Sequence, residues 1–320
     1  MRALWQGVAI VGLGVGLLCI SANATYFVGS FPATATAVAA SPSVHLPQQR
    51  DIFRPPPPPS FLPELSARAA VITVDAADGP APLLRYRAND SAPLASLTKL
   101  MSALVVLDQQ PDWNTVVSVE PRDYRGGTRP RITPGDTLTI DALWRLMLVG
   151  SDNDAVATLV RVLGMSDDDF ATAMNQRAAA LGLVSTHFVE PTGLASGNVS
   201  TARELALLTQ TAFAEPRIAT ILALPKTEVI VSGVTKQVYS TDQEIKFFSS
   251  AEEHHWRFQT GKTGYIAESG YNVAFLAETA TGQKFLTVLL GAQSVDKRAL
   301  EAERLLGWAI SADVPTSPSR

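Results

Sequence analysis

Ser96 and Lys99 stand three residues apart in Ala95-Ser96-Leu97-Thr98-Lys99-Leu100-Met101. Apolar Leu97, Leu100, Leu104 and Leu107 recur at three- and four-residue spacing after Pro93, which predicts a helix with Ser96 and Lys99 on one face. A serine hydroxyl attacks a carbonyl only when a base takes its proton. A lysine whose pKa is lowered by burial or by a second cation can be that base. A lysine inside an apolar helix is costly without such partners, although position alone also suits Ser96 as a helix N-cap. Two later stretches, Ser151-Asp152-Asn153 and Lys262-Thr263-Gly264-Tyr265, complete a constellation for acyl transfer. Lys262 would depress the pKa of Lys99 and attract a substrate carboxylate. Ser151 would pass a proton between Lys99 and a leaving amine, and the Asn153 amide would grip a peptide backbone. Thr263, Gly264 and Tyr265 continue a substrate-binding strand in which glycine permits close backbone approach. The N–H groups of Ser96 and Tyr265 would form an oxyanion hole.

These groups need elements to position them. Residues 69–74 and 83–86 read as strands around an Asp78-Gly79-Pro80 turn. Residues 116–119 and 137–140 read as short strands flanking an Arg- and Gly-containing loop, 125–131. Helices are expected over 141–149, which aims at Ser151, and over 155–163, which leaves it. Further helices are expected over 170–181 and 201–213. Asp167-Asp168-Asp169 would complement a helix dipole rather than hold a metal. Strands return at 228–231, 256–260, 272–278 and 285–290, and residues 294–310 close the chain as a helix. Strands at both ends with helices between predict an α+β fold: a mostly antiparallel sheet covered by helices, with an inserted, mainly helical subdomain. The site would lie where the two parts meet.

Composition sets the remaining bounds. A chain of 320 residues with 46% hydrophobic content can bury a large core, and a net charge of −4 with no basic stripe argues against nucleic acid as a partner. Met1-Arg2, the apolar run 8–20 and Ala22-Asn23-Ala24 have the order of a secretory signal peptide over residues 1–24, the alternative being an uncleaved membrane anchor. The one cysteine, Cys19, falls inside that segment, so an exported chain would carry no thiol. Residues 25–64, rich in Ala, Thr and Pro and including Pro55 to Pro59, read as a linker. Residues 65–313 would be the catalytic domain and 314–320 a tail. The expected location is the periplasm or cell envelope, with membrane contact only through an uncleaved N-terminal segment.

Other constellations are poor. His45, His187, His254 and His255 have no H-x-x-x-H spacing, and neither a G-x-S-x-G elbow nor a P-loop is present. With its three motifs in this order, the chain resembles the serine D-Ala-D-Ala carboxypeptidase family of low-molecular-mass penicillin-binding proteins over residues 69–310. Phe188-Val189-Glu190-Pro191-Thr192-Gly193-Leu194 and Asn198-Val199-Ser200-Thr201-Ala202-Arg203 resemble its D-alanyl-D-alanine endopeptidase branch. The resemblance implies a β-lactamase/transpeptidase-like fold, hydrolysis of peptidoglycan stem peptides, inhibition by β-lactam antibiotics, and no metal or cofactor. It also implies that Ser96, Lys99, Ser151 and Lys262 act as nucleophile, base, proton relay and carboxylate anchor. The N-T-N-like stretch usual upstream of the Lys-Thr-Gly motif is replaced by Phe247-Phe248-Ser249-Ser250, and the short stretch after Trp308 is expected to hold no extra C-terminal β-domain.

Two rival readings stand beside it. Glu190-Pro191 lies near where class A β-lactamases keep the glutamate that activates a deacylating water, but Gly193 and Leu194 stand where that pattern requires Leu and Asn. A catalytically retired domain that merely binds wall peptide or penicillin is the non-enzyme reading.

Overall fold

The structure, a computed structural model, describes residues 56–76, 79–126, 131–242 and 256–312. The expected signal segment, most of the linker, Phe247-Phe248-Ser249-Ser250, His45, His254, His255 and the tail lie outside the described residues.

Five antiparallel strands form the central sheet in the order β2 (Gly79–Tyr86), β1 (Ala69–Ala76), β11 (Lys284–Ala292), β10 (Gly270–Thr279) and β9 (Trp256–Ile266). Alternate residues of a strand serve opposite faces. Ile72, Val74, Phe275 and Leu289 pack against Ala302, Leu305 and Leu306 of α7 (Val295–Ser311). Val71, Leu286, Val288 and Leu290 join the core formed with α1 (Thr98–Asp108) and α5 (Ala202–Ala214). With both faces covered, β11 is buried from Phe285 to Ala292, and each large apolar side chain there contributes about 1.5–3 kcal/mol. Phe61 and Leu62, which composition alone leaves in the linker, also pack here, with the Arg304 guanidinium 4.0 Å above the Phe61 ring. The packed chain thus starts earlier than Leu65.

The helical part holds α2 (Ile140–Leu148), α3 (Asn153–Val162) and α4 (Asp167–Ala180), with a hairpin of β4 (Val116–Ser118) and β5 (Thr137–Thr139). Its centre is Trp144, fully buried and edge-on to Trp113 at 5.3 Å. Ser166 and Asp169 form a capping box at the start of α4, while Asp167 pairs with Arg125 at 2.7 Å. The acidic triplet therefore serves the helix start. Three features have no counterpart in the sequence reading. These are the pairing of β3 (Ser91–Pro93) with β6 (Val199–Thr201), the strand β8 (Val234–Tyr239) beside β7 (Lys226–Val231), and α6 (Pro216–Leu222). Residues in β8 are mostly exposed, so no apolar alternation marks it, and α6 restarts at Pro216 directly after α5.

Ser96 is not within α1. It sits in a short 3-10 turn, Ala95–Leu97, that leads into the helix, and the N-cap residue is Leu97. The turn opens with Ala95 at φ +50°, a conformation that costs an alanine roughly 1–2 kcal/mol. Neighbours hold it there. Asn272 of β10, fully buried, donates Nδ2 to the carbonyls of Pro93 and Leu94 at 3.0 and 3.1 Å and accepts the Gly291 N–H through Oδ1. Two glycines press on the turn from either side. A Cβ on Gly264 would lie 2.8 Å from the Ser96 nitrogen. One on Gly193, itself at φ +90°, would lie 2.1 Å from the Ala95 carbonyl oxygen. Gly193→Ala is therefore expected to destabilise the fold by more than the 1–2 kcal/mol of its backbone conformation alone. Thermal unfolding should show Tm lowered by at least about 2–4 °C, and an unchanged Tm would show that the turn is not packed this way.

Candidate active site

The end of β9 at the edge of the sheet, the Ser96 turn and the α2–α3 junction enclose a cleft of about 560 Å³. Ser96, Ser151, Asn153, Thr263, Gly264 and Tyr265 line it, and Lys99 and Lys262 lie beneath its wall as two of the largest fully buried side chains.

Lys99 has no exposed surface. Its Nζ lies 3.1 Å from Ser96 Oγ, 2.7 Å from Asn153 Oδ1 and 2.6 Å from the Thr192 carbonyl oxygen. Burial, reinforced by the charge of Lys262, lowers its pKa to about 7, against the opposing pull of Glu190 and Asp152. A neutral amine in this setting donates to Asn153 and Thr192 and turns its lone pair to the Ser96 hydroxyl. The loop that supplies Thr192 is folded around Glu190, whose Oε2 accepts from Thr192 N and Oγ1 and whose Oε1 accepts from Gly193 N, Ala195 N and Asn198 Nδ2. Ser102, one turn after Lys99, donates to the Pro191 carbonyl at 2.6 Å. Both carboxylate oxygens of Glu190 are thus committed to folding the loop, and neither is placed to activate a water in the way the β-lactamase reading requires.

Lys262 donates to Ser151 Oγ at 3.0 Å, to the Thr263 carbonyl at 3.0 Å and to Thr241 Oγ1 at 3.4 Å. Ser151, at φ +55°, turns the chain from α2 into α3, whose first amides are capped by Asp152 Oδ1 on Ala155 N at 3.0 Å. The expected constellation is brought together, with two adjustments. The described partner of Ser151 is Lys262, whereas the three hydrogen bonds of Lys99 go to Ser96, Asn153 and Thr192. The Asn153 amide oxygen is spent on Lys99, which leaves its Nδ2, 3.5 Å from the Gly126 carbonyl, as the end that can meet a substrate. Tyr265 is half exposed on the cleft lip and stacks on Tyr271 at 4.3 Å.

Other groups here escaped the sequence reading. Thr241 Oγ1 and its carbonyl each lie 3.0 Å from Thr263 Oγ1, and no local pattern marks it. Arg131 and Arg298 also line the cleft. Burial lowers the Arg298 pKa to about 10 despite the nearby charge of Asp242, and its guanidinium lies 5.8 Å over the Tyr271 ring. Arg298 stands in the buried stripe of α7, with Ala302, Leu305 and Ala309, and a charge at an apolar position of the helical repeat was the signal available for it. Among the described residues, no three His, Cys, Asp or Glu side chains converge as a metal site.

Comparison with known proteins agrees with this geometry. The D-alanyl-D-alanine carboxypeptidase model of peptidase family S11 matches residues 56–294. The chain is 32% identical to a D-alanyl-D-alanine endopeptidase of Haemophilus influenzae over 61% of this chain and 65% of that protein. It is 30% identical to one of Pseudomonas aeruginosa over 82% and 84%. Among solved structures, a penicillin-binding protein homologue from Mycobacterium tuberculosis superposes with a TM-score of 0.70 at 24% identity, over 83% of this chain and 97% of that one. Penicillin-binding protein D2 of Listeria monocytogenes in its cefotaxime-bound form does so at 0.65 and 26% identity, over 77% and 98%. A β-lactamase/transpeptidase-like α+β fold, a serine and a buried lysine in hydrogen-bond contact, and a family match over residues 56–294 agree: the chain belongs to the D-alanyl-D-alanine carboxypeptidase family of serine-type peptidases.

Proposed function

We propose that the protein is a penicillin-sensitive serine D,D-peptidase that hydrolyses peptidoglycan stem peptides, including the cross-links between them, through an acyl-enzyme on Ser96. The observation that carries this reading is the fully buried Lys99 amine, with a pKa near 7, at 3.1 Å from Ser96 Oγ. Neutral Lys99 takes the hydroxyl proton as Ser96 Oγ bonds to the carbonyl carbon of a D-alanine residue. The oxyanion forms beside the Ser96 N–H at the Gly264 approach, and its collapse breaks the amide and expels the amine. That amine leaves protonated, the proton coming from the Lys99 ammonium by way of the Ser151–Lys262 side of the cleft. Water then hydrolyses the ester with Lys99 again as base. Lys262, with Thr263 and Thr241, holds the carboxylate next to the scissile amide, and Asn153 Nδ2 holds a substrate carbonyl. A β-lactam follows the same first step, as the drug-bound Listeria relative supports. The endopeptidase names of the similar curated proteins support the cross-link as a substrate. The signal-like residues 1–24 support export to the periplasm or cell envelope. Among the described residues, no helix is long and apolar enough to cross a membrane.

Ser96→Ala is expected to abolish both hydrolysis and covalent labelling by fluorescent penicillin while the circular dichroism spectrum stays that of the wild type. Labelling at the wild-type rate in this variant would remove Ser96 from the mechanism.

A base with a pKa near 7 must be neutral to act, so acylation should rise with pH through about 7 and level off roughly one unit above it. The kcat/KM profile for acylation reads this directly, and a flat profile between about pH 5.5 and 9 would be incompatible with Lys99 as the base.

Lys262→Ala is expected to cost about 2–5 kcal/mol of transition-state binding, or roughly 30- to several-thousand-fold in acylation efficiency. Lys262→Arg should recover part of it. Amidating the substrate carboxylate should impair the wild type and add little to the loss in Lys262→Ala. Simple additivity of the two changes in this cycle would rule out Lys262 as the carboxylate anchor.

A further inference from the structure

The two ends of the cleft differ. Past Gly264 it is bounded by Tyr265, Tyr271 and Arg298, and at the Lys262 end by Ser151, Thr241 and Arg131. Arg131 Nη1 donates to the carbonyl of Gly150, the residue before Ser151, at 2.8 Å. Among the described residues that is its one side-chain hydrogen bond, and the side chain keeps 26% of its surface exposed. Asp152 Oδ2, buried and without a hydrogen bond, faces the guanidinium at 3.9 Å, outside fork geometry. Lys236 of β8 donates Nζ to the Arg131 carbonyl at 3.0 Å and brings a second positive charge beside it. Two described carboxylates at this end make further bonds. Asp152 Oδ1 caps α3, and Asp154 Oδ1 accepts the Arg125 N–H while burial pushes its carboxyl up.

We propose that Arg131 is a subsite for a carboxylate of the acceptor stem, the peptide on the leaving side of a cross-link. The inference rests on the cross-link reading given above, with Lys262 holding the carboxylate next to the scissile amide. With that carboxylate at Lys262, the acyl part of the substrate runs along β9 toward Tyr265, and the leaving group occupies the end where Arg131 lies. A terminal D-alanine has nothing beyond its carboxylate. A cross-linking diamino acid continues into a second stem peptide with free carboxylates of its own. The guanidinium N–H groups that Gly150 does not use match a carboxylate in charge and in paired-donor geometry. Arg131 therefore selects for the cross-linked substrate while leaving the acylation machinery to other residues.

The test uses the full chain as wild type, Arg131→Gln and Arg131→Lys. Its four readouts are kcat/KM for a cross-linked muropeptide dimer, for the same dimer amidated at every acceptor-stem carboxylate except the one next to the scissile amide, for a monomeric pentapeptide, and for fluorescent-penicillin acylation. Arg131→Gln is expected to lower cleavage of the free-carboxylate dimer about ten- to a hundredfold, the range for a hydrogen-bonded charge. Pentapeptide trimming and penicillin acylation should fall by no more than about threefold, with Arg131→Lys intermediate on the dimer. Amidation should bring the wild type down to the Arg131→Gln level and change that variant little. Equal losses on all substrates would mean that Arg131 only braces Gly150 and Ser151, and an unimpaired dimer reaction would mean there is no subsite. Either result overturns the proposal. A wild type that trims pentapeptide but leaves the dimer intact overturns the cross-link reading and the subsite with it, and shows this without any variant. Should Arg131→Gln fail to fold, Arg131→Lys and the amidated dimer on the wild type still decide.

Discussion

A lysine nitrogen kept out of water beside a serine hydroxyl is the constraint on which the rest of the molecule depends. Desolvation alone would push Lys99 toward neutrality, and the charge of Lys262 pushes the same way, while Glu190 and Asp152 pull back and hold the pKa near 7. A neutral amine must also be aimed, because an unpaired polar group in this position would cost as much as a lost hydrogen bond. Asn153 Oδ1 and the Thr192 carbonyl do the aiming, and each is itself fixed: Asn153 as the first residue of α3, Thr192 through the Glu190 carboxylate that gathers its loop. Ser102 and Asn198 then tie that loop to α1, through the Pro191 carbonyl and through Thr98 Oγ1. A network of this kind loses more than the sum of its bonds when one member is removed.

Strain is stored on both walls of the cleft. Ala95 and Ser151 each take a left-handed backbone that non-glycine residues avoid, and each adjoins or carries a reactive hydroxyl. Ala95 has no glycine to relax it because its neighbours take the glycines instead: Gly193 and Gly264 let two backbones come within contact of the turn. Asn272 then secures the turn from the sheet, so Ser96 is located by the strand that lies beside β9. The position of Ser96 thus follows from backbone packing rather than from its own rotamer preferences.

Much of this was legible in the chain. The apolar runs at 69–74, 272–278 and 285–290 mark strands because both sheet faces are buried, and the three short motifs named the groups that meet in the cleft. What escaped was of two kinds. Elements such as β3, β6 and β8 are short or solvent-facing, so burial leaves no pattern in them. Residues such as Thr241, Arg131 and Asn272 act through contacts made by chain segments distant in sequence, which spacing cannot report. Among the described hydrogen bonds none joins Lys99 to Ser151, and the reason is related. The Lys99 nitrogen makes three hydrogen bonds, and the fold commits them to Ser96, Asn153 and Thr192.

That allocation separates the two lysines by partner and so by task. Lys99 is held by groups from the Ser96 turn, α3 and the Glu190 loop, whereas Lys262 belongs to β9 and reaches Ser151 across the cleft. The Lys262–Ser151 bond therefore joins the sheet wall to the helical wall at the place where a substrate carboxylate and a leaving amine would both arrive. A carboxylate entering there competes with Ser151 for the same ammonium, and a Ser151 hydroxyl released from Lys262 is free to turn toward the amine. On the proposed reading, binding of the charged end of the substrate and delivery of the proton would thereby be coupled through one side chain, with the strained backbone at Ser151 holding its hydroxyl at Lys262.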